Sequence, residues 1–143
     1  MVDQSVLLDK LRLYFGTPGG DVEHAAELYH DDAILEFPQS GERFDGRDNF
    51  TQWRGQYPAE VSHQLRRVLI RDDLVVVELS GNYDGGPTVL GVALLEFRDD
   101  KIARERIYVA EGWEAPDWRA AWRSETPADP PESGVNIDRL GTA

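Results

Sequence analysis

The chain has 143 residues, enough for one domain with a real core and cramped for two. Its 27 acidic against 15 basic residues give a formal charge of -12, which repels phosphate backbones and argues against a nucleic-acid partner. Cysteine is absent, which excludes disulfides, thiolate nucleophiles and cysteine-ligated metals and suits a reducing, cytoplasmic setting.

The opening MVDQSVLLDK carries an early aspartate and no basic segment followed by an apolar run, so no signal peptide is expected. Nor does any stretch approach the roughly 20 apolar residues that cross a bilayer, and no membrane partner is expected. Between Asp3 and Phe15, Leu7, Leu11, Tyr14 and Phe15 recur at helical spacing, with Leu8 widening the stripe. After GTPGGD, Asp21 is placed to cap a second helix, VEHAAELY, ending at an acidic turn of His30, Asp31 and Asp32. AILEFP reads as a short strand closed by Pro38, followed by a brief strand over Glu42 to Phe44. A third helix opens near Asp48, carries Phe50, Trp53 and Tyr57, and stops at Pro58.

From Val61 to Ala110 the sequence is strand and tight turn. VSHQLRRVLIR turns at Asp72 and Asp73, LVVVELSGNYD at Gly85 and Gly86, PTVLGVALLEFR at Asp99 and Asp100, and KIARERIYVA closes an antiparallel meander. APDWRAAW reads as a short helix with Trp118 and Trp122 on one side, and the tail from Ser124 to Ala143 lacks apolar periodicity and reads as flexible or loosely docked. Helices followed by a long sheet give an α+β plan in one domain over residues 1–123. The strand PTVLGVALLEFR is apolar on both rows, with Val89, Gly91, Ala93, Leu95 and Phe97 on one and Leu90, Val92 and Leu94 on the other. Helices cover only one sheet face, so a second subunit on the open face, making a homodimer, is the economical partner; a looping tail is the alternative.

The order of elements, with LYHDDAILEFPQSGERFDGRDNF and RIYVAEGWEAPDWRAAW, resembles the SnoaL-like branch of the nuclear transport factor 2-like superfamily over residues 3–123. The resemblance implies a cone-shaped α+β barrel, a strongly bent and mainly antiparallel sheet covered on its concave face by the N-terminal helices. It also implies a cavity for a small, apolar or polycyclic molecule. Members include isomerases, cyclases, epoxide hydrolases and proteins without catalysis, so the fold alone names no reaction. Matched to ketosteroid isomerases, the proton-shuttling aspartate falls on Phe37 and the protonated aspartate near Ala93, which removes that mechanism; their first-helix tyrosine has a counterpart in Tyr14. Matched to SnoaL-type cyclases, the acid-base aspartate falls on Ile107 and Glu105 takes the histidine-like place. The Asp-Arg-Asp arrangement of the epoxide hydrolases has no recognisable counterpart.

The family pattern turns the last strand's row of Glu105, Ile107, Val109 and Glu111 inward. A carboxylate among apolar walls is suited to proton exchange near neutral pH. Glu105 and Glu111 do not form a catalytic pair, since six residues of strand separate them by roughly 20 Å. Two readings of Glu105 stand side by side: a catalytic base, or a partner in a cross-strand ion pair with an arginine. His63, the only histidine on a long strand, is a proton carrier by type or a packed residue by default, and the meander brings it with Tyr83 and Glu111 toward one rim, where Trp113 covers Glu111. Phe37, Trp53, Tyr83, Trp113 and Tyr14 are candidate aromatic walls, or plain core. Arg66, Arg67 and Arg71 are expected to answer neighbouring carboxylates. His24 and His30 have poor ligand spacing and no third partner, so no metal and no cofactor is assigned.

Two functions therefore remain in play. One is cofactor-independent isomerisation, cyclisation, dehydration or hydrolysis, with Glu105 or His63 moving the proton and Tyr14 orienting a polar substituent. The other is a non-catalytic ligand-binding or accessory dimer. A Glu105 free of arginine at the cavity floor favours the first, and a paired one the second.

Overall fold

The computed structural model describes residues 4–15, 25–126 and 128, and within the first helix the side chains of residues 5–7 and 9–11. Helix α1 (Gln4–Phe15) buries Leu7 and Leu11, one turn apart, and packs against strand β3. Strands β1 (Tyr29–Phe37) and β2 (Glu42–Asp45) form a hairpin, and helix α2 (Arg47–Gly55) covers it. The long strands β3 (Val61–Arg71), β4 (Leu74–Tyr83), β5 (Val89–Arg98) and β6 (Lys101–Glu111) follow, then a 3-10 helix at Asp117–Trp122. The six strands lie in the order β2-β1-β6-β5-β4-β3, all neighbours antiparallel except β1 and β6. This is the expected cone-shaped α+β fold, an unclosed curved sheet with helices on its concave side.

Three local expectations are corrected. The segment expected to end a helix at Tyr29 and to turn at His30, Asp31 and Asp32 is instead the start of β1. Tyr29 pairs with Ile102, and the Leu28 carbonyl accepts the Ile102 amide at 2.8 Å. The acids tolerate strand geometry because they are exposed and answered, Asp31 by Arg47 at 2.9 Å and Asp32 by Arg98 at 2.7 Å. Helix α2 ends at Gly55, short of Tyr57, its last turn closed by amide bonds from Gln56 to Trp53 and from Tyr57 to Arg54. Tyr57 stacks on Tyr83 instead, with ring centroids 5.9 Å apart. The segment at Asp117–Trp122 winds with three residues per turn, so Trp118 and Trp122 do not share one side. The expected second helix before Ala25 and the tail beyond Thr126, Ala128 apart, lie outside the described residues.

Two bulges decide which side chains face inward. On β3 the register slips between Leu65 and Arg67, so Val61, His63 and Leu65 share the inner face with Val68 and Ile70 beyond the slip. Arg66, the inserted residue, is only 6% exposed and reaches Glu78 at 3.7 Å. On β6 the slip at Ala103 keeps both Ile102 and Glu105 inward. The tight turns at Asp72 and Asp99 take left-handed φ of 52° and 60°, which aspartate tolerates through its short polar side chain.

The core fills one end of the cone. Val75 and Val77 of β4, Leu95 and Phe97 of β5, Ile102 of β6 and Val68 of β3 close around Leu11 and Phe50. Phe50 meets the edge of Tyr29 at 5.0 Å between centroids. On the outer sheet face, Leu90 and Tyr108 are exposed while Val92 and Leu94 are half-buried, so the second apolar row of β5 is uncovered in the single chain. There Arg104 pairs with Glu36 and approaches Glu96, which explains the charges on the outer row of β6.

Candidate functional site

Toward one end of the sheet the inward rows of β4 and β5 each reach a glycine. On β5 the inner row runs from Phe97 and Leu95 to Ala93, Gly91 and Val89, and on β4 from Val75 and Val77 to Leu79 and Gly81. Where the side chains become small the core opens into a cavity of about 450 Å³. That is within the range of about 300 to 1,000 Å³ typical of small-molecule sites. Gly81 also permits a close strand approach, since a Cβ there would stand 2.2 Å from the Ser62 carbonyl oxygen. At Gly91 a Cβ would press on Leu79 at 3.0 Å.

Most of the candidate residues line this hollow: Phe37 and Trp53 on the hairpin and helix side, Tyr83 and His63 toward the mouth, and Ala93, Glu105, Ile107 and Val109 along the sheet. Phe37 and Trp53 form an aromatic wall backed by Phe44, with centroids 5.1 to 6.2 Å apart. Glu111 and Trp113 are not among the lining residues. Glu111 lies in register with Val89 and so shares the row of His63, but it is exposed past the rim, and Trp113 is 80% exposed rather than folded over it. Tyr14 falls within α1, but its side chain is outside those described.

Two residues the sequence reading passed over fix Glu105. The Tyr29 hydroxyl donates a short hydrogen bond to Glu105 Oε1. Arg54 donates from Nη1 to the Tyr29 oxygen at 3.1 Å and from Nη2 to Glu105 Oε2 at 3.5 Å. The Arg54 guanidinium also lies over the rings of Phe50, Tyr29 and Trp53 at 5.4, 5.8 and 5.9 Å, a cation held by aromatic faces. Glu105 thus has an arginine partner, which comes from the helix and not from a neighbouring strand. The signal was present: Arg54 lies four residues after Phe50, on the helix face that points inward.

Arg54, Glu105 and His63 give the hollow a polar patch, and Ser62, Asn82, Tyr57 and Tyr83 add further polar groups to a lining that is apolar elsewhere. Burial, and secondarily the Arg54 charge, lowers the His63 pKa from 6.5 to about 4, so its imidazole is neutral at pH 7. Tyr83 is shifted up, first by burial and then by Tyr57. The patch can donate hydrogen bonds to a polar head, and the neutral imidazole can accept one. Among the described residues no cluster of three or more potential ligands could hold a metal ion, and no helix is long and apolar enough to cross a membrane.

The SnoaL-like domain model matches residues 13–105, more than half of the chain. An NTF-2 like protein of unknown function from Burkholderia xenovorans LB400 superposes with a TM-score of 0.78 at 31% identity, covering 87% of this chain and 98% of its own. A Kribbella flavida DSM 17836 protein, provisionally assigned as a ketosteroid isomerase, gives 0.72 at 28% identity, with 85% of this chain and 90% of its own covered. A third structure, from Catenulispora acidiphila DSM 44928, has a ketosteroid isomerase-like fold and was solved in complex with trimethylamine; it matches at 0.57 and 19% identity over 72% and 83%, a likeness of fold alone. Among curated proteins, none matches. The bent sheet, the hollow at its wide end and the matched family model agree, and the chain belongs to the SnoaL-like family of the nuclear transport factor 2-like superfamily.

Proposed function

We propose that the chain binds a compact, mainly apolar molecule in the hollow and holds its polar head against Arg54, His63 and Glu105. The observation that carries this reading is the engagement of both Glu105 oxygens, by Tyr29 and by Arg54, on a side chain that still lines the cavity. A carboxylate held this way orients a ligand and keeps the arginine in place. The homodimer through the outer sheet face belongs to the same reading, supported by the uncovered second row of β5.

A second reading, cofactor-independent acid-base chemistry, is favoured by one observation: Glu105 and a neutral His63 face the same hollow. The isomerase designation of the Kribbella relative points the same way, although Phe37 and Ala93 stand where that mechanism needs aspartates.

The test uses 1-anilinonaphthalene-8-sulfonate, a fluorescent bicyclic probe with an anionic head. Saturable fluorescence enhancement by the folded chain is expected, abolished by Ile107→Trp, which fills the hollow. Equal enhancement in that variant would place the probe elsewhere and remove the binding reading. If a turned-over substrate is found, Glu105→Gln separates the two readings. Lost turnover at kept affinity would favour chemistry, and unchanged turnover would remove Glu105 from it.

A further inference from the structure

Three of the chain's four tryptophans fall within eleven residues after the sheet, and all three stand in water: Trp113 is 80% exposed, Trp118 74% and Trp122 80%. They lie on an arm, residues 112–126, that is shaped without being covered. Arg123 Nη2 bonds the Pro116 carbonyl at 3.0 Å, the Arg119 guanidinium sits 5.9 Å from the Trp118 ring, and no residue of the 3-10 helix is buried. Large exposed apolar clusters on a folded chain mark contact surfaces.

We propose that this arm docks on a second copy of the same chain, seating its indoles on that copy's outer sheet face over Leu90, Leu94 and Tyr108, with the exchange made reciprocally. The inference rests on the homodimer reading above and adds the element that completes it. Three observations select this partner. The receiving strip is apolar and open in the single chain, with Leu90 43% and Tyr108 39% exposed. The arm leaves β6 beside Ala110, which pairs with Leu90, so its root lies at the edge of that strip. Glu114 and Asp117 accompany the indoles, whereas Arg106 lies in register with Leu94 on the strip, and Glu78, the acid beside Val92, is already answered by Arg66 at 3.7 Å.

Reach and area are sufficient. Five extended residues at about 3.3 Å each and six 3-10 residues at about 2.0 Å each give the arm roughly 28 Å. Trp118 and Trp122 stand on different sides of the 3-10 helix, so two indoles from each arm meet the strip at once, and these four present about 600 Å² at about 200 Å² per aromatic side chain, three-quarters exposed. With a similar area covered on the receiving faces, the pair reaches the span of about 1,200 to 2,000 Å² found in stable interfaces.

The experiment is sedimentation equilibrium of the full chain with acrylamide quenching of tryptophan fluorescence across a dilution series. A dimer is expected in which the arm indoles are shielded and become quenchable on dilution. Trp118→Ala/Trp122→Ala should raise the dimer Kd by about 100-fold or more, and Leu90→Arg on the receiving face should do the same. Because the arm is exposed in the single chain, the double variant keeps its fold. A dimer with quenchable indoles and an unmoved Kd in the double variant would overturn the arm contact and leave the sheet-face dimer standing. A monomer at all concentrations would overturn both. Shielding that survives dilution would place the arm on its own body and overturn the exchange.

Discussion

The two ends of the cone are built on the same strands and differ in what those strands point inward. At the packed end, β5 contributes Leu95 and Phe97 and β4 contributes Val75 and Val77, which meet Leu11, Phe50 and Ile102 with almost no solvent contact. At the open end the same two strands contribute Gly91, Val89, Leu79 and Gly81, and the space left beside the two glycines is the cavity. The backbone pairing continues without interruption between the ends. The binding site therefore arises by subtraction of side-chain volume within one ladder. Stability and ligand capacity are assigned to different stretches of the same strands.

Four measurements break or sharpen that contrast. The largest effect is expected where the two ends meet. Arg54→Ala leaves Glu105 largely buried beside the Tyr29 hydroxyl with its cation gone, and urea unfolding should show a loss of about 3 to 5 kcal/mol. A loss below about 1 kcal/mol would mean that water reaches Glu105 freely. Next, Leu95→Ala at the packed end should cost about 3 kcal/mol through lost contacts and a residual void.

The third concerns pH. In the unfolded chain the His63 imidazole titrates near 6.5, and in the folded chain near 4, so between these values the unfolded state binds more protons. This residue's contribution is complete above pH 6.5 and is lost as pH falls toward 4, amounting to about 3 kcal/mol. His63→Gln should flatten that part of the stability curve; an unchanged slope would assign the acid loss to other groups. The smallest effect is expected from Val89→Ala at the open end, where the truncated side chain already borders empty space. Its cost should stay below about 1 kcal/mol while the affinity for the naphthalene probe changes. A cost equal to that of Leu95→Ala would erase the distinction between the ends.

The four long strands and their turns were legible because apolar alternation and paired aspartates or glycines mark them directly; β3, β4 and β6 begin where the pattern places them. The inward facing of Glu105, Ile107 and Val109 came from family likeness, since a single bulge such as the one at Ala103 reverses a row and leaves no mark in the alternation. Helix propensity misled the reading of Tyr29, whose conformation is set by pairing with Ile102 from the far end of the chain. Arg54 is a polar residue on a helix whose inward face the sequence marks with Phe50 and Trp53. Only the fold brings its guanidinium to a carboxylate 51 positions away. Exposure of the tryptophans after β6 was equally hidden, because their spacing suits an amphipathic helix with a buried side.

The extra residue at Arg66 also bears on how this protein can change over evolutionary time. It acts as a phase shifter inside β3: odd positions point into the cavity before it, even positions into the core after it. Loss of Gln64, the residue between His63 and Leu65, would rotate His63 out of the binding chamber while leaving Val68 and Ile70 anchored. A single-codon deletion there would rewrite ligand preference in one step, a route to divergence that point substitutions in an unbroken ladder do not offer.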